Sequence, residues 1–168
     1  MRQWAEEQLT WMGLRELKQW LATTDFYTAP ASAHYHGAYE GGLIRHSRTV
    51  SNVLGQLTGA MHLQWHNFRS PYLIGLLHDV CKIGLYVPSV DGDFMYTRRD
   101  MDLHGLLSVQ ILEQHGVTLT DEERICILYH MGEWTKDGDM TYSEALKLYP
   151  NLLWVHTADM YASQVLGR

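Results

Sequence analysis

The chain has 168 residues, 46% of them hydrophobic and 19% charged, and its 13 Lys and Arg face 19 Asp and Glu for a net charge of −6. That length suits one domain with a full core, and this composition excludes wholesale disorder. The acidic balance argues against a broad basic face for long nucleic acid and leaves room only for a local basic pocket.

Residues 3–22 read as one helix, because Trp4, Leu9, Met12, Leu14, Leu17 and Leu21 fall near helical spacing with charged residues between them. Residues 23–42, with Pro30, Gly37, Gly41 and Gly42, form a breaker-rich stretch. A long loop of this kind inside a compact domain is more often functional than idle. A second helix runs from Leu43 to about Leu57. A third starts at Ser70-Pro71 and continues through YLIGLLHDVCKIG. It is apolar nearly all round up to His78-Asp79, which predicts the central buried helix.

Residues 86–102 hold Pro88 and a DGD turn, and FMYT predicts a short strand, one arm of a small hairpin near 86–98. Asp102 is placed to cap a helix over 103–115 that Gly116 ends. Thr120 and Glu123 form a capping-box pattern opening DEERICILYHM, which Gly132 closes. GEWTKDGDM reads as a loop, Ser143 to Tyr149 as a short helix, and Pro150 opens the last helix, NLLWVHTADMYASQVL. The expected fold is mostly α, a single bundle of about seven helices around one core. Cys81 and Cys126 lie in apolar runs and are expected as buried free thiols. No run approaches 18 apolar residues, and MRQWAEEQLTW lacks the apolar segment of a secretory leader. A soluble, cytoplasmic protein without a membrane span is expected.

The chain has 10 histidines, and their placement carries more information than their number. His46, His78-Asp79, His104, His130 and Asp159 each fall in or at the end of a predicted helix with apolar neighbours. Ionisable groups at buried helical positions are costly unless paired or bound to a cation. Successive spacings of 32, 25, 26 and 29 residues put one or two such groups on each of five helices. That pattern suits a metal site in a bundle core, built from facing helices.

His46…His78-Asp79…Asp159 resembles the signature of the HD-domain superfamily of metal-dependent phosphohydrolases. The strings GAYEGGLIRHS, LIGLLHDVCKIG, HGLLSVQIL, ILYHMGEW and HTADMYAS are similar to its blocks and cover about residues 25 to 165. The nearest likeness is to small bacterial and phage HD hydrolases and to the HD part of bacterial 3′–5′ exoribonucleases. The resemblance implies a single catalytic domain over 1–168. It implies that His46, His78, Asp79 and Asp159 hold a first metal, and that His104 and His130 hold a second, with Asp79 bridging. Such ligands suit Fe, Mn, Co, Ni or Zn, with Mg at one site as an alternative.

The same resemblance implies hydrolysis of a phosphate ester or anhydride by hydroxide that the cations supply at neutral pH. The substrate would be a nucleotide or short oligonucleotide. Asp79, Lys82, His104 and His130 would be the catalytic group. Lys82 of the HDxxK pattern, Arg45, Arg48, Arg98, Arg99, His36 and Glu40 would face the substrate. Each has a plainer reading: a helix-end lysine for Lys82, solvated charges for Arg98 and Arg99, and a loop-fixing hydrogen bond for His36. His156 reads as a partly buried core histidine, or as a group orienting Asp159. Trp134 and Tyr39 could stack on a base, though such aromatics more often pack. His62, His66 and His115 are expected to face solvent.

Two departures stand out. Tyr129-His130 replaces the His pair of many relatives, and no GYP triplet follows His130, which argues against the cyclic-dinucleotide subclass. Two other activities fit the ligand set: oxidation by a mixed-valence di-iron centre, or nucleotide binding without turnover. The Trp-rich first helix makes a homo-oligomer plausible.

Overall fold

The computed structural model describes residues 1–91, 93–97, 103–135 and 138–167. The chain is mostly helical. The first stretch holds two helices, α1 (Arg2–Trp11) and α2 (Arg15–Leu21), where the sequence predicts one. A turn at Gly13, with a left-handed φ of +77°, separates them. Apolar spacing alone misses this break, because Leu9, Met12, Leu14 and Leu17 stay buried on both sides of it.

After the loop come α3 (Gly42–Ala60) and α4 (Ser70–Leu77). α4 ends at His78, and Asp79 leaves helical geometry before a 3₁₀ turn over Val80–Lys82. The third helix is thus shorter than predicted, and the HD pair sits at its C-terminal end. β1 (Tyr86–Pro88) and β2 (Phe94–Tyr96) pair antiparallel, with Tyr86 opposite Tyr96, as the predicted hairpin requires.

α5 (His104–Gln114) and α6 (Asp121–Leu128) follow. The Asp102 cap lies outside the described residues. The Thr120–Glu123 capping box is present in both directions. α6 stops at Leu128, so Tyr129, His130 and Met131 lie past its end, before a 3₁₀ turn over Gly132–Trp134. α7 (Tyr142–Leu148) carries a second capping box, Thr141 with Glu144, that the sequence reading passed over. α8 (Leu152–Met160) widens into a π-helical turn over Tyr161–Val165. Eight α-helices among the described residues replace the expected seven, the split first helix supplying the extra one.

The core is built around α4. Leu73, Ile74, Leu76 and Leu77 are fully buried, and burial of each contributes about 1.5–3 kcal/mol. Its neighbours α3 and α8 pack on it with Leu43, Ile44, Val50, Leu54, Val155 and Ala158. Two glycines set the closest helix approaches. A Cβ on Gly75 would lie 2.6 Å from Ser51 N, and one on Gly105 would lie 2.8 Å from Leu128 C. No side chain fits at either place. These contacts join α3 to α4 and α5 to α6 beside the candidate site. Cys81 and Cys126 are buried and not joined in a disulfide, as expected. No helix among the described residues is long and apolar enough to cross a membrane.

Candidate metal centre

The six predicted ligands converge. Across the α3–α4 contact, His46 Nε2 lies 3.2 Å from His78 Nε2. Across the α5–α6 contact, His104 Nε2 lies 3.1 Å from His130 Nε2. Asp79 stands between the two pairs. Its Oδ2 is 3.5 Å from both His46 Nε2 and His78 Nε2. Its Oδ1 is 2.9 Å from His104 Nε2 and 3.7 Å from His130 Nε2. Asp159 closes the first side, with Oδ1 3.1 Å from His46 Nε2 and 3.8 Å from His78 Nε2. One carboxylate therefore offers one oxygen to each pair of imidazoles.

Local structure explains why these nitrogens point inward. His78 and His130 each sit just past the end of a helix, where carbonyls lack intrahelical donors. His78 Nδ1 lies 3.2 Å from Gly75 O, and His130 Nδ1 lies 2.6 Å from Ile127 O. A carbonyl only accepts, so Nδ1 carries a proton in both rings, which leaves Nε2 as the ring nitrogen able to ligate. Burial lowers the His104 pKa despite Asp79 beside it, which keeps that ring neutral as a ligand must be.

The residues fit a cation. Asp79 Oδ1 is buried without an aligned hydrogen bond, although His104 lies close. Two buried carboxylates, Asp79 and Asp159, stand among these imidazoles, and the Lys82 ammonium pairs with Asp79. Burial alone would raise Asp79 and Asp159, but Lys82 and the histidines outweigh it and hold Asp79 well below the usual range, and His46 and His78 do the same for Asp159. Three overlapping sets could each hold a metal ion: His46, His78 and Asp79; His78, His130 and Asp159; and Asp79, His104 and His130. Within each set the ligand atoms lie within 4.8 Å of one another. Imidazole with carboxylate suits divalent transition metals.

Lys82 is not a surface lysine. It is 6% exposed, and its Nζ lies 2.7 Å from Asp79 Oδ2. Burial would lower its pKa, but Asp79 reverses that and raises it, so it stays charged. Lys82, His36, Asp79, His104, His156 and Asp159 line the inner part of one cavity of about 390 Å³. His36 Nε2 is buried and has no hydrogen-bond partner among the described residues; its ring centre lies 5.0 Å from that of His46. Burial, then His46 and Lys82, pushes the His36 pKa down to about 4, so the ring is neutral near pH 7.

Three of the expected substrate residues do not reach this cavity. His46 faces inward from α3, and side chains one and two residues away on a helix point elsewhere. Arg45 is exposed and lies over the Tyr39 ring. Arg48 lies over Trp4 and donates to Met1 Sδ, toward α1. Glu40 is exposed and outside the lining. Arg98 and Arg99 lie outside the described residues.

His156 is partly buried, as expected, but its hydrogen bond goes elsewhere than to Asp159. Its Nδ1 donates to His130 O at 2.7 Å, so it braces the backbone of a different ligand and borders the cavity. His66 is exposed, as expected, with Nδ1 2.9 Å from Glu122, whereas His115 is half-buried and stacks on Trp20 at 3.8 Å. Met131, Trp134, Met160, Ser163 and Gln164 form the cavity rim. Of these, Ser163 had a signal in the sequence, one helical turn past Asp159. Clefts of about 600 and 560 Å³ elsewhere on the surface contain none of the three ligand sets. Comparison with family models, with curated proteins and with solved structures finds no match to this chain.

Proposed function

We propose that this chain is a metal-dependent phosphohydrolase of the HD type, acting on a nucleotide or short oligonucleotide. The observation that carries the reading is the Asp79 carboxylate, shared between two facing pairs of imidazoles. His46, His78 and Asp159 with Asp79 Oδ2 would hold one ion, and His104 and His130 with Asp79 Oδ1 the other. Bound there, divalent cations supply Lewis acidity toward a phosphoryl oxygen and make a nearby water more acidic.

The chain's own residues do the rest. Among the described residues the Lys82 ammonium is the one Lys or Arg donor lining the cavity, and it binds a phosphoryl oxygen. His36, neutral, borders the same space and orients the substrate through a hydrogen bond. His156 holds the His130 backbone so that its imidazole keeps its direction. A cavity of about 390 Å³ admits one small ligand, which favours nucleotides over folded nucleic acid.

The test is a panel of nucleotides screened for phosphate release with Mn, Co, Ni and Mg, together with metal analysis. Asp79→Ala is expected to abolish release and lower bound metal. Full activity in that variant refutes the assignment. Oxygen uptake by the iron-loaded protein, with no phosphate released from any substrate, refutes it as well.

A further inference from the structure

The cavity has two unlike ends. The inner end is the ligand cluster and Lys82. The outer end is a rim of side chains that a stable core would normally cover. Trp134 is 79% exposed, Met160 43% and Met131 38%, yet all three border one opening. Among the described residues Trp134 stacks on no other ring. The reading that it simply packs is therefore set aside. Its position is fixed by the 3₁₀ turn that begins two residues after His130.

The same lining also carries two polar side chains, Ser163 and Gln164. In an α-helix Ala162 and Ser163, but not Gln164, would follow Asp159 on the same face. The π-helical turn over Tyr161–Val165, closed by Leu166 N donating to Tyr161 O at 3.0 Å, changes that register. Both Ser163 and Gln164 border the cavity. π-Turns inside helices occur often at functional sites. Among the described residues Gln164 Nε2 makes only a long 3.4 Å contact, to Ser163 Oγ. Its amide offers both donors and an acceptor in one plane.

A flat aromatic face, flexible thioethers and a planar amide around one opening suit a planar heteroaromatic ring with polar edges. We infer that the rim formed by Met131, Trp134, Met160, Ser163 and Gln164 is a nucleobase subsite, with Trp134 as the stacking face and Gln164 reading the base edge. The inference deepens the phosphohydrolase reading and rests on it: the phosphoryl group lies at Lys82 and the base at the rim. It also commits that reading to a base-bearing substrate rather than a simple sugar phosphate.

The test is equilibrium titration of four nucleoside 5′-monophosphates and of ribose 5-phosphate, with chelator present so that nothing turns over. At least one nucleotide is expected to bind roughly tenfold or more tightly than ribose 5-phosphate, the scale of one stacked base. Trp134→Ala brings that ratio close to one, Trp134→Phe keeps most of it, and Gln164→Ala changes the order among the four bases. Equal binding of nucleotides and ribose 5-phosphate overturns the subsite, as does an unchanged ratio in Trp134→Ala. Phosphate release from ribose 5-phosphate by the metal-loaded protein separates the two ideas. Release together with a ratio of one removes the subsite and keeps the phosphohydrolase, whereas no release from any compound removes both.

Discussion

Gly105→Ala tests the geometry behind the second half of the metal centre. Gly105 follows His104 directly, and it is where α5 meets the backbone of α6. An added Cβ would lie 2.8 Å from Leu128 C and 2.9 Å from Leu128 Cα, whereas ordinary contact begins near 3.4 Å. The opposing atoms are backbone and cannot swing aside, so the helices must part by more than half an ångström. Overpacking of this kind costs about 1–3 kcal/mol, and the better helix propensity of Ala returns up to about 1 kcal/mol. The backbone oxygen of Leu128 lies closer still and puts the cost at the upper end, so the expected net loss is about 2–3 kcal/mol, or about 4–12 °C in Tm for a chain of this size.

The same separation pulls His104 from His130, now 3.1 Å apart between Nε2 atoms. Affinity for the second ion is expected to fall roughly 10- to 100-fold, as when the supports of metal ligands are lost. The assay pairs chemical denaturation of metal-free protein with calorimetric titration of Mn or Zn. Gly59→Ala is the control, since a Cβ there meets nothing within 4 Å in α3. Wild-type stability and two wild-type metal affinities in Gly105→Ala refute the reasoning.

Three further predictions follow from the same geometry. His104→Ala is expected to lose one bound ion and keep the other by elemental analysis; unchanged metal content means His104 is not a ligand. In metal-free protein the depressed carboxyls Asp79 and Asp159 contribute stability that is fully present above their ordinary value of 3.8 and is lost as pH falls toward their lower folded values. Denaturation midpoints should therefore drop less between about pH 6 and pH 3 in Asp159→Asn than in wild type, and equal drops would contradict the coupling. Thr120→Ala removes a capping box whose Glu123 partner also accepts from Ser70, and a loss of about 1 kcal/mol is expected by urea denaturation. A change within a few tenths would show that the cap contributes nothing here.

The ligand set was readable because each member interrupts an apolar helical pattern, and burial of an unpaired ionisable group needs a reason. His78-Asp79 shows this most clearly, at the end of the most hydrophobic helix. The helix count was nearly right for the same reason, since apolar periodicity reports the core. It failed over residues 3–22, where a buried stripe continues across the turn at Gly13. The substrate cations were less readable. Arg45 and Arg48 are close to His46 in sequence, but helical rotation turns them away from the cavity. His156 escaped because its role is a hydrogen bond to a backbone carbonyl 26 residues away, which no spacing rule reveals. The rim depends on the 3₁₀ turn after His130 and the π-turn after Asp159, and neither has a strong signature in the sequence.

The central claim is that six side chains hold two ions with Asp79 between them. Anomalous diffraction from crystals grown with Mn or Co tests it most directly. Two peaks per chain are expected, one against Asp79 Oδ2 with His46, His78 and Asp159, the other against Asp79 Oδ1 with His104 and His130. Crystals with no peak at these side chains, or with a single peak that Asp79 does not touch, would contradict it.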